Sequence, residues 1–348
     1  MKHLSKFLLI PLAVLAFAGC NKGGEEPSKE GSSTPPKEVS YTVSQTEFAS
    51  ALDFKWKNLS YVGTTFGPGA DGRCEMYLLA DGSLYQKECF GWGEHIFYHL
   101  PDDSYSYITK KDSVWFVGGY RTKTEYVSGS YGDDFGFFDM IYYCHDKYES
   151  FTYSETDHQY TGQVVYESFT TDPFDIVLKF EDKHVVYFEM SMIYEGARAG
   201  YRVEVSNHGT TMIDYNSFNI QNKFDLAGRS FVFENYIDHG MFGGDPTQEQ
   251  AFKEGNANST LTFSSDGTYT MHFDFGFYPY GEEQEYTGQY TLDKFAKTIS
   301  FKVDLGEEEP MDVVADFEVD VKDGEAWSRV VISMEPAPGM EFVMSFAD

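Results

Sequence analysis

The sequence MDVVADFEVDV, residues Met311–Val321, alternates between the two kinds of side chain that a half-buried β-strand needs. Its odd-numbered positions carry only Met, Val, Ala and Phe, whereas positions 312, 316, 318 and 320 carry carboxylates. Successive side chains of a strand point to opposite faces of a sheet, so this pattern predicts one dry face and one wet face. The dipeptide Asp323-Gly324 follows, which is typical of a tight hairpin turn.

Seven further segments of this kind lie around it in the C-terminal part of the chain. Eight short strands joined by tight turns predict an up-and-down β-barrel. The predicted strands are residues 226–236, 259–264, 268–275, 286–292, 298–303, 311–321, 327–334 and 341–347. Between the first two, Asp245 and Pro246 predict the start of a helix and Gly255 its end.

The turn Ser265-Asp266-Gly267 decides which side chains face the barrel interior. A two-residue turn would pair Phe263 with Thr270 and mix apolar with polar residues on one face. A three-residue loop with Gly267 in the left-handed conformation pairs Phe263 with Tyr269, and like then faces like. We therefore predict the three-residue loop, with an inward set that is the candidate ligand-binding surface: Leu261, Phe263, Tyr269, Met271, Phe273 and Phe317.

At Asp323-Gly324 the two-residue turn is favoured instead. It pairs Phe317 with Val330 on the dry face and Glu318 with Arg329 on the wet face. The three-residue alternative would set Arg329 opposite Phe317, where its charge would have to be desolvated.

Eleven strand-like segments precede the barrel and predict one long, curved antiparallel sheet. They are residues 60–66, 74–79, 84–88, 94–100, 105–109, 114–117, 151–154, 160–166, 176–180, 185–194 and 201–205. Short helices are expected at residues 43–54, where Ser44 and Glu47 form a capping box, and in the middle, where Phe137, Ile141 and Cys144 recur at helical spacing. The Gly- and Tyr-rich residues 118–132 are predicted to be a loop.

The predicted fold class is therefore mainly β, with an α+β first domain. A half-barrel-like domain over residues 41–215 is followed by a linker over 216–223 and a barrel domain over 224–348. The Ser/Asn-rich linker is expected to be open to proteolysis, because its composition offers little to bury.

The N-terminal residues predict an export signal. Lys2 and Lys6 precede an uncharged apolar run over residues 7–18, which is too short to span a bilayer. The run ends in Phe17-Ala18-Gly19-Cys20, which resembles the lipobox of bacterial lipoproteins, although that family prefers Leu where Phe17 stands. The resemblance implies a signal peptide over residues 1–19, acyl chains such as palmitate on Cys20, and a membrane anchor. Residues 20–40 lack aromatic side chains and predict a flexible tether.

Two further resemblances rest on patterns of elements. The order of helices and strands in the first domain resembles the LolA-like half-barrel carriers and related lipid-carrying lipoproteins. Leu226-Ala227-Gly228 and the turn at Ser265-Asp266-Gly267-Thr268 resemble bacterial lipocalin-like (calycin) domains, in which a lid often follows the first strand. Both resemblances imply apolar surfaces able to hold lipid, and neither assigns a functional residue.

Exported proteins can form disulfides, and Cys74 and Cys89 flank the hairpin turn at Asp81-Gly82. A two-residue turn sets the two cysteines opposite each other but also sets Glu75 against Glu88. A three-residue loop avoids that clash and moves the cysteines out of line, so the pairing is left open.

The sequence contains no phosphate loop, dinucleotide fingerprint, nucleophile elbow or helical zinc motif, and we predict no catalytic residue, metal or cofactor. His95 and His99 lie in a strand-like run, where four residues span about 13 Å, too far to share a metal. The thiol of Cys144 is followed by His145-Asp146, but adjacent residues on a helix diverge. The net charge of −30 excludes a nucleic-acid partner.

These features predict an exported, lipid-anchored protein of the cell envelope that binds or carries an apolar ligand. The alternative is a structural or interaction module whose cores are filled by its own side chains. A hydrolase is the least favoured class, because carboxylate pairs that act together meet in space rather than in sequence.

Overall fold

The computed structural model describes residues 38–54, 56–89, 93–129, 141–166, 172–239, 245–276, 281–304, 310–337 and 340–348. The predicted signal peptide, Cys20 and nearly all of the tether lie outside these ranges, as does Phe137 of the predicted central helix. Within the described ranges, no helix is long and apolar enough to cross a bilayer. Val39–Asp348 forms one compact unit that contains two sheets.

The first sheet has eleven antiparallel strands in the order β6-β5-β4-β3-β2-β1-β11-β10-β9-β8-β7. The order shows a meander that runs outward on one side and returns along the other, with β1 and β11 paired in the middle. The strands are β1 (Leu59–Phe66), β2 (Arg73–Leu78), β3 (Leu84–Cys89), β4 (His95–His99), β5 (Tyr105–Lys111), β6 (Val114–Arg121), β7 (Phe151–Ser154), β8 (Gln159–Val165), β9 (Pro173–Glu181), β10 (His184–Tyr194) and β11 (Ala197–Ser206).

The second sheet closes on itself as a barrel of eight antiparallel strands, β12 to β19 in sequence order. Its ends meet where β12 pairs with β19. The strands are β12 (Arg229–His239), β13 (Thr260–Phe263), β14 (Thr268–Phe273), β15 (Gln284–Asp293), β16 (Thr298–Val303), β17 (Met311–Lys322), β18 (Glu325–Ala337) and β19 (Met340–Ala347). The predicted fold class, a long curved sheet followed by an eight-stranded barrel, is confirmed.

Helix α1 (Gln45–Leu52) packs its buried face against one side of the first sheet. The predicted capping box is present: Glu47 accepts from the backbone N–H of Ser44 at 2.9 Å, and Ser44 Oγ accepts from the backbone N–H of Glu47. Phe48 is fully buried and lies 5.3 Å from the ring of Tyr148 and 5.5 Å from that of Phe180. Aromatic packing thus fixes α1 on the sheet.

Residues 118–132 are not all loop, so that prediction is wrong in part. β6 extends to Arg121, and α2 (Lys123–Gly129) follows it. The helix is capped by Glu125, whose carboxylate accepts from the backbone N–H of Thr122 at 2.8 Å. The ring of Tyr126 stacks on that of Tyr105, with 3.9 Å between their centroids. Burial of Tyr126 stabilises a helix in a stretch whose glycines and serines indicate a loop.

The segment that joins the two sheets, residues 211–226 and here called the connecting segment, is packed and hydrogen-bonded. Its Phe218 ring lies 5.0 Å from Tyr85 and 4.9 Å from Trp115 on the first sheet. Gln221 forms a parallel bridge with Phe116 of β6, through two backbone hydrogen bonds of 2.9 Å each. Buried side chains of β4 to β6 and of the barrel belong to one hydrophobic cluster. The predicted domain boundaries at 215 and 224 stay a prediction.

Candidate functional site

The candidate ligand-binding residues on β13 and β14 lie in the predicted register. Phe263 pairs with Tyr269 and Leu261 with Met271. The loop has three residues, and Gly267 takes the left-handed conformation at φ +86°. All four side chains are at most 2% exposed. The register that puts like with like is therefore confirmed.

The register of β17 and β18 is confirmed as well. Phe317 pairs with Val330 and Glu318 with Arg329 across a two-residue turn in which Asp323 and Gly324 both have positive φ. Arg329 Nε donates to Glu318 at 2.9 Å on the outer face. Phe317 is 1% exposed and faces inward, so the charge stays in water and the apolar face stays dry.

The barrel interior is filled by the side chains that its pattern points inward. The predicted residues Phe273 and Phe317 are joined there by other rings in mutual contact, such as Phe231 with Phe263 at 5.7 Å and Tyr269 with Phe301 at 4.8 Å. Small eight-stranded barrels are often closed around their own side chains in this way. The aromatic side chains of the barrel strands and of the helix between β12 and β13 that are buried in this cluster are Phe231, Phe233, Tyr236, Phe252, Phe263, Tyr269, Phe273, Phe301, Phe317, Phe342 and Phe346.

A helical lid closes one end of the barrel. Helix α3 (Pro246–Gly255) lies in the connection between β12 and β13, where the sequence predicts it, with Asp245 as its N-cap. Its Phe252 is fully buried, 4.6 Å from the ring of Tyr236 and 6.4 Å from that of Phe273. The connection between β12 and β13 therefore places an aromatic side chain in the barrel cluster.

The end of the lid is held by Asn256, a fully buried amide that sequence reasoning missed. Its Nδ2 donates to the carbonyls of Phe252 at 3.0 Å and Phe275 at 2.8 Å. Its Oδ1 accepts from Ser259 Oγ at 2.7 Å and from the Phe275 backbone N–H at 3.1 Å. Every strong hydrogen-bonding capacity of the amide is used, which ties the end of α3 to Ser259, just before β13, and to Phe275, just after β14.

The end of the connecting segment packs on the barrel through two buried apolar residues. Phe224 and Leu226 belong to the barrel cluster, and the Phe224 ring lies 5.3 Å from Phe317. Nearby, Asp348 pairs with Lys223 at 2.8 Å and with Arg229. Burial raises the pKa of the Asp348 carboxyl, but these two cations and the Ser328 N–H outweigh burial, and the net pKa is lowered.

The described residues line at least two open grooves on the outer surface. The larger, here called the Tyr98 groove, has a volume of about 410 Å³. It is lined by Tyr98, Ile108, Tyr215, Asn216, Asn219 and Ile220. None of the six carries a formal charge, and burial raises the pKa of the Tyr215 hydroxyl, which keeps it neutral.

The second groove, of about 370 Å³, runs beside α1 and is charged. Lys183 pairs with Glu47 at 2.7 Å at its edge, and the rings of His184 and His208 stack at 4.5 Å. Burial lowers the pKa of His208, and the neighbouring His184 lowers it further, although a hydrogen bond with the Val185 carbonyl opposes both. The ion pair neutralises its own charges, and Lys57, a further charged residue of the lining, donates from Nζ to Ser50 Oγ at 3.3 Å.

The hairpin that carries Cys74 and Cys89 combines the two registers that the sequence left open. Near the turn, Leu78 pairs with Leu84, as the three-residue loop requires; a bulge at Lys87 then shifts the register, and Cys74 lies opposite Cys89. Cys74 is disulfide-bonded, and the bond to Cys89 stays a prediction. Cys144 is buried.

The side chains that could suggest catalysis are separated or inactive. Burial raises the pKa of Cys144 to about 12, so its thiol is not a nucleophile at neutral pH. His145 instead stacks on Tyr142 at 4.3 Å. His95 and His99 both lie on β4. His99 pairs with Asp103 at 2.9 Å. Across the described ranges, no group of three or more His, Cys, Asp or Glu could hold a metal ion.

Comparison with known proteins adds little to this geometry. No protein-family model matches the chain, and no curated protein matches it. Among solved structures, it is similar to a chain from the crystal structure of MucB in complex with MucA(peri), with a TM-score of 0.24 and 9% identity. The match covers 87% of this chain and 93% of that chain. At that TM-score the similarity supports no conclusion about function.

Proposed function

We propose that the protein is an exported lipoprotein, anchored to the cell envelope through acyl chains on Cys20, that binds its partner with its outer surface. This is the second of the two functions that the sequence predicts. The residues first assigned to an apolar ligand, including Phe263, Tyr269 and Met271, then form a structural core. The exposed face of the molecule does the binding.

The observation that supports this proposal is the filled barrel. The predicted ligand-binding residues are at most 2% exposed, and the rings among them contact other rings of the same cluster, as Phe263 contacts Phe231 and Tyr269 contacts Phe301. The lid contributes Phe252 to the same cluster and is locked by Asn256. A carrier that takes lipid into the barrel would have to break the Asn256 hydrogen bonds and withdraw Phe252, and each step exposes groups that are satisfied when the lid is closed.

Native mass spectrometry of the full-length protein purified from its host tests the binding mode. We expect the mass of the polypeptide with its own acyl chains and no further apolar molecule after gentle desolvation. Organic extraction of the same sample should yield no free lipid in stoichiometric amount. A lipid or other apolar molecule that co-purifies at one per chain would contradict the proposal and favour the carrier function.

The anchor is tested separately with Cys20→Ala. Because the thiol of Cys20 is the acylation site, labelled fatty acid should enter the wild-type chain and not the variant. Cys144→Ala is the matched control, since its buried thiol is not the predicted site. Labelled fatty acid in the Cys20→Ala protein would show that the lipoprotein assignment is wrong.

A further inference from the structure

The Tyr98 groove lies between two strands of the first sheet and the connecting segment. Tyr98 and Ile108 come from β4 and β5, and Tyr215, Asn216, Asn219 and Ile220 come from the connecting segment. Tyr98 is 38% exposed and packs edge-on against the Tyr215 ring at 4.5 Å. The groove therefore offers a half-exposed aromatic ring on one wall and two exposed amides on the other.

The wall formed by the connecting segment is fixed before any ligand arrives. Asp214 caps the turn by accepting from the Asn216 N–H at 3.2 Å. Phe218 is held between Tyr85 and Trp115, and Gln221 is bridged to β6. Asn219 ends the turn in the left-handed conformation at φ +47°, which asparagine tolerates better than most residues. A groove with fixed walls loses little entropy when it binds.

The chemistry of the lining selects the ligand class. The chain has a net charge of −30, so an anion is repelled over a long range. A cation would be drawn to carboxylates, and none lines the groove. A wholly apolar ligand would leave the two amides without partners. A neutral molecule with both hydroxyls and apolar C–H faces matches this lining of one exposed ring and two exposed amides.

We propose that the Tyr98 groove binds a neutral polysaccharide. The C–H face of a sugar ring packs against Tyr98, and its hydroxyls exchange hydrogen bonds with the amides of Asn216 and Asn219, each of which can donate and accept. The volume of about 410 Å³ lies within the roughly 300–1,000 Å³ of known ligand sites. The groove opens to solvent, so a longer chain can leave it. This inference rests on the proposed outer-surface binding function and names its ligand.

Affinity gel electrophoresis of the full-length protein in detergent tests the inference. The gels contain, one at a time, galactomannan, xyloglucan, hydroxyethyl cellulose, starch or anionic polygalacturonate. We expect at least one neutral polysaccharide to retard the wild-type protein. Tyr98→Ala and Asn216→Ala should each weaken that retardation at least tenfold in apparent affinity. Tyr194→Ala, which removes another exposed tyrosine from the end of β10, should leave it unchanged.

Each result decides the matter. Absence of retardation by all four neutral polysaccharides, retardation only by polygalacturonate, or retardation that survives Tyr98→Ala with unchanged affinity would overturn the inference. Far-UV circular dichroism and thermal midpoints show whether a variant has kept its fold, and Asn216→Ala serves if Tyr98→Ala has not. A peptide or an anionic lipid vesicle whose binding depends on Tyr98 would replace the polysaccharide as occupant. Co-purified lipid in the mass spectrum would instead contradict the proposed function, whatever the gels show.

Discussion

Truncation of the lid's aromatic plug tests whether the barrel is closed around its own side chains. Phe252 is 0% exposed and contacts the rings of Phe233, Tyr236, Phe273 and Phe275 at centroid distances between 4.6 and 6.4 Å. The substitution Phe252→Ala removes the ring and leaves the backbone of α3 with a good helix former. Its effect therefore comes from lost packing and from the space left behind.

The expected loss of unfolding free energy is about 3–5 kcal/mol, the range for a buried Phe→Ala change. Transfer of the ring from water accounts for about 1.5–3 kcal/mol of it. The remainder depends on how far the surroundings collapse. Asn256 holds both α3 and Phe275 in place, so collapse is restricted and we expect a value in the upper half of the range.

Urea unfolding followed by far-UV circular dichroism measures the change. Gln248→Ala alters an exposed side chain of the same helix and should stay within about 0.5 kcal/mol of the wild type. The Phe252→Ala variant should also bind a small fluorescent apolar probe that the wild type excludes, because apolar cavities of this kind take up apolar guests. A loss below about 1 kcal/mol, without probe binding, would refute the closed barrel.

Two further predictions concern one ionisable group on the first sheet and one in the hydrophobic cluster packed against it. Glu189 is nearly buried and pairs with Arg198 at 2.6 Å and with Arg202 at 3.3 Å. Burial raises the pKa of its carboxyl, but the Tyr187 hydroxyl and the two arginines lower it by more. The pKa of Glu189 in the folded protein is therefore lowered. Its contribution to stability is thus present above the unfolded value of about 4.3 and lost as pH falls through the lower folded pKa. The urea midpoint should fall less steeply between neutral and acid pH for Glu189→Gln than for the wild type. Glu204→Gln, on the exposed face of β11, is the control and should behave as the wild type does. The prediction is contradicted if the midpoint of Glu189→Gln falls with pH in parallel with that of the wild type. Cys144, whose pKa burial raises to about 12, should resist iodoacetamide at mildly alkaline pH and react fully in denaturant; rapid labelling of the folded protein by mass spectrometry would show that its site opens.

The parts of the fold that the sequence predicts are those in which a local pattern and a local turn agree. Gly267 is the residue that permits a left-handed loop position, and the pairing of Phe263 with Tyr269 follows from it. The turn at Asp323-Gly324 fixes the register of β17 against β18, because a slip of one residue would bury Arg329. Side-chain direction in the barrel could therefore be predicted before any long-range contact was known.

The parts that the sequence did not predict depend on distant contacts. Helix α2 is fixed by the stacking of Tyr126 on Tyr105, and its weak signal was the Thr122–Glu125 pair within a Gly-rich stretch. The bulge at Lys87 combines two registers that a simple hairpin treats as exclusive. The Tyr98 groove could not be found from sequence, because its walls are separated by about a hundred residues and meet only when Gln221 bridges to Phe116.

That bridge also matters when many copies of the chain are crowded together. An eleven-stranded sheet has two outer strands, and an outer strand with free backbone groups is a template for pairing with another molecule. At β6, Gln221 occupies the N–H of Val117 and the carbonyl of Trp115, while Phe116 is covered by Val321 and Ala326 of the barrel. The barrel itself has no outer strand. One glutamine and one neighbouring hairpin thus shield this edge of the sheet from pairing with the edge of another molecule.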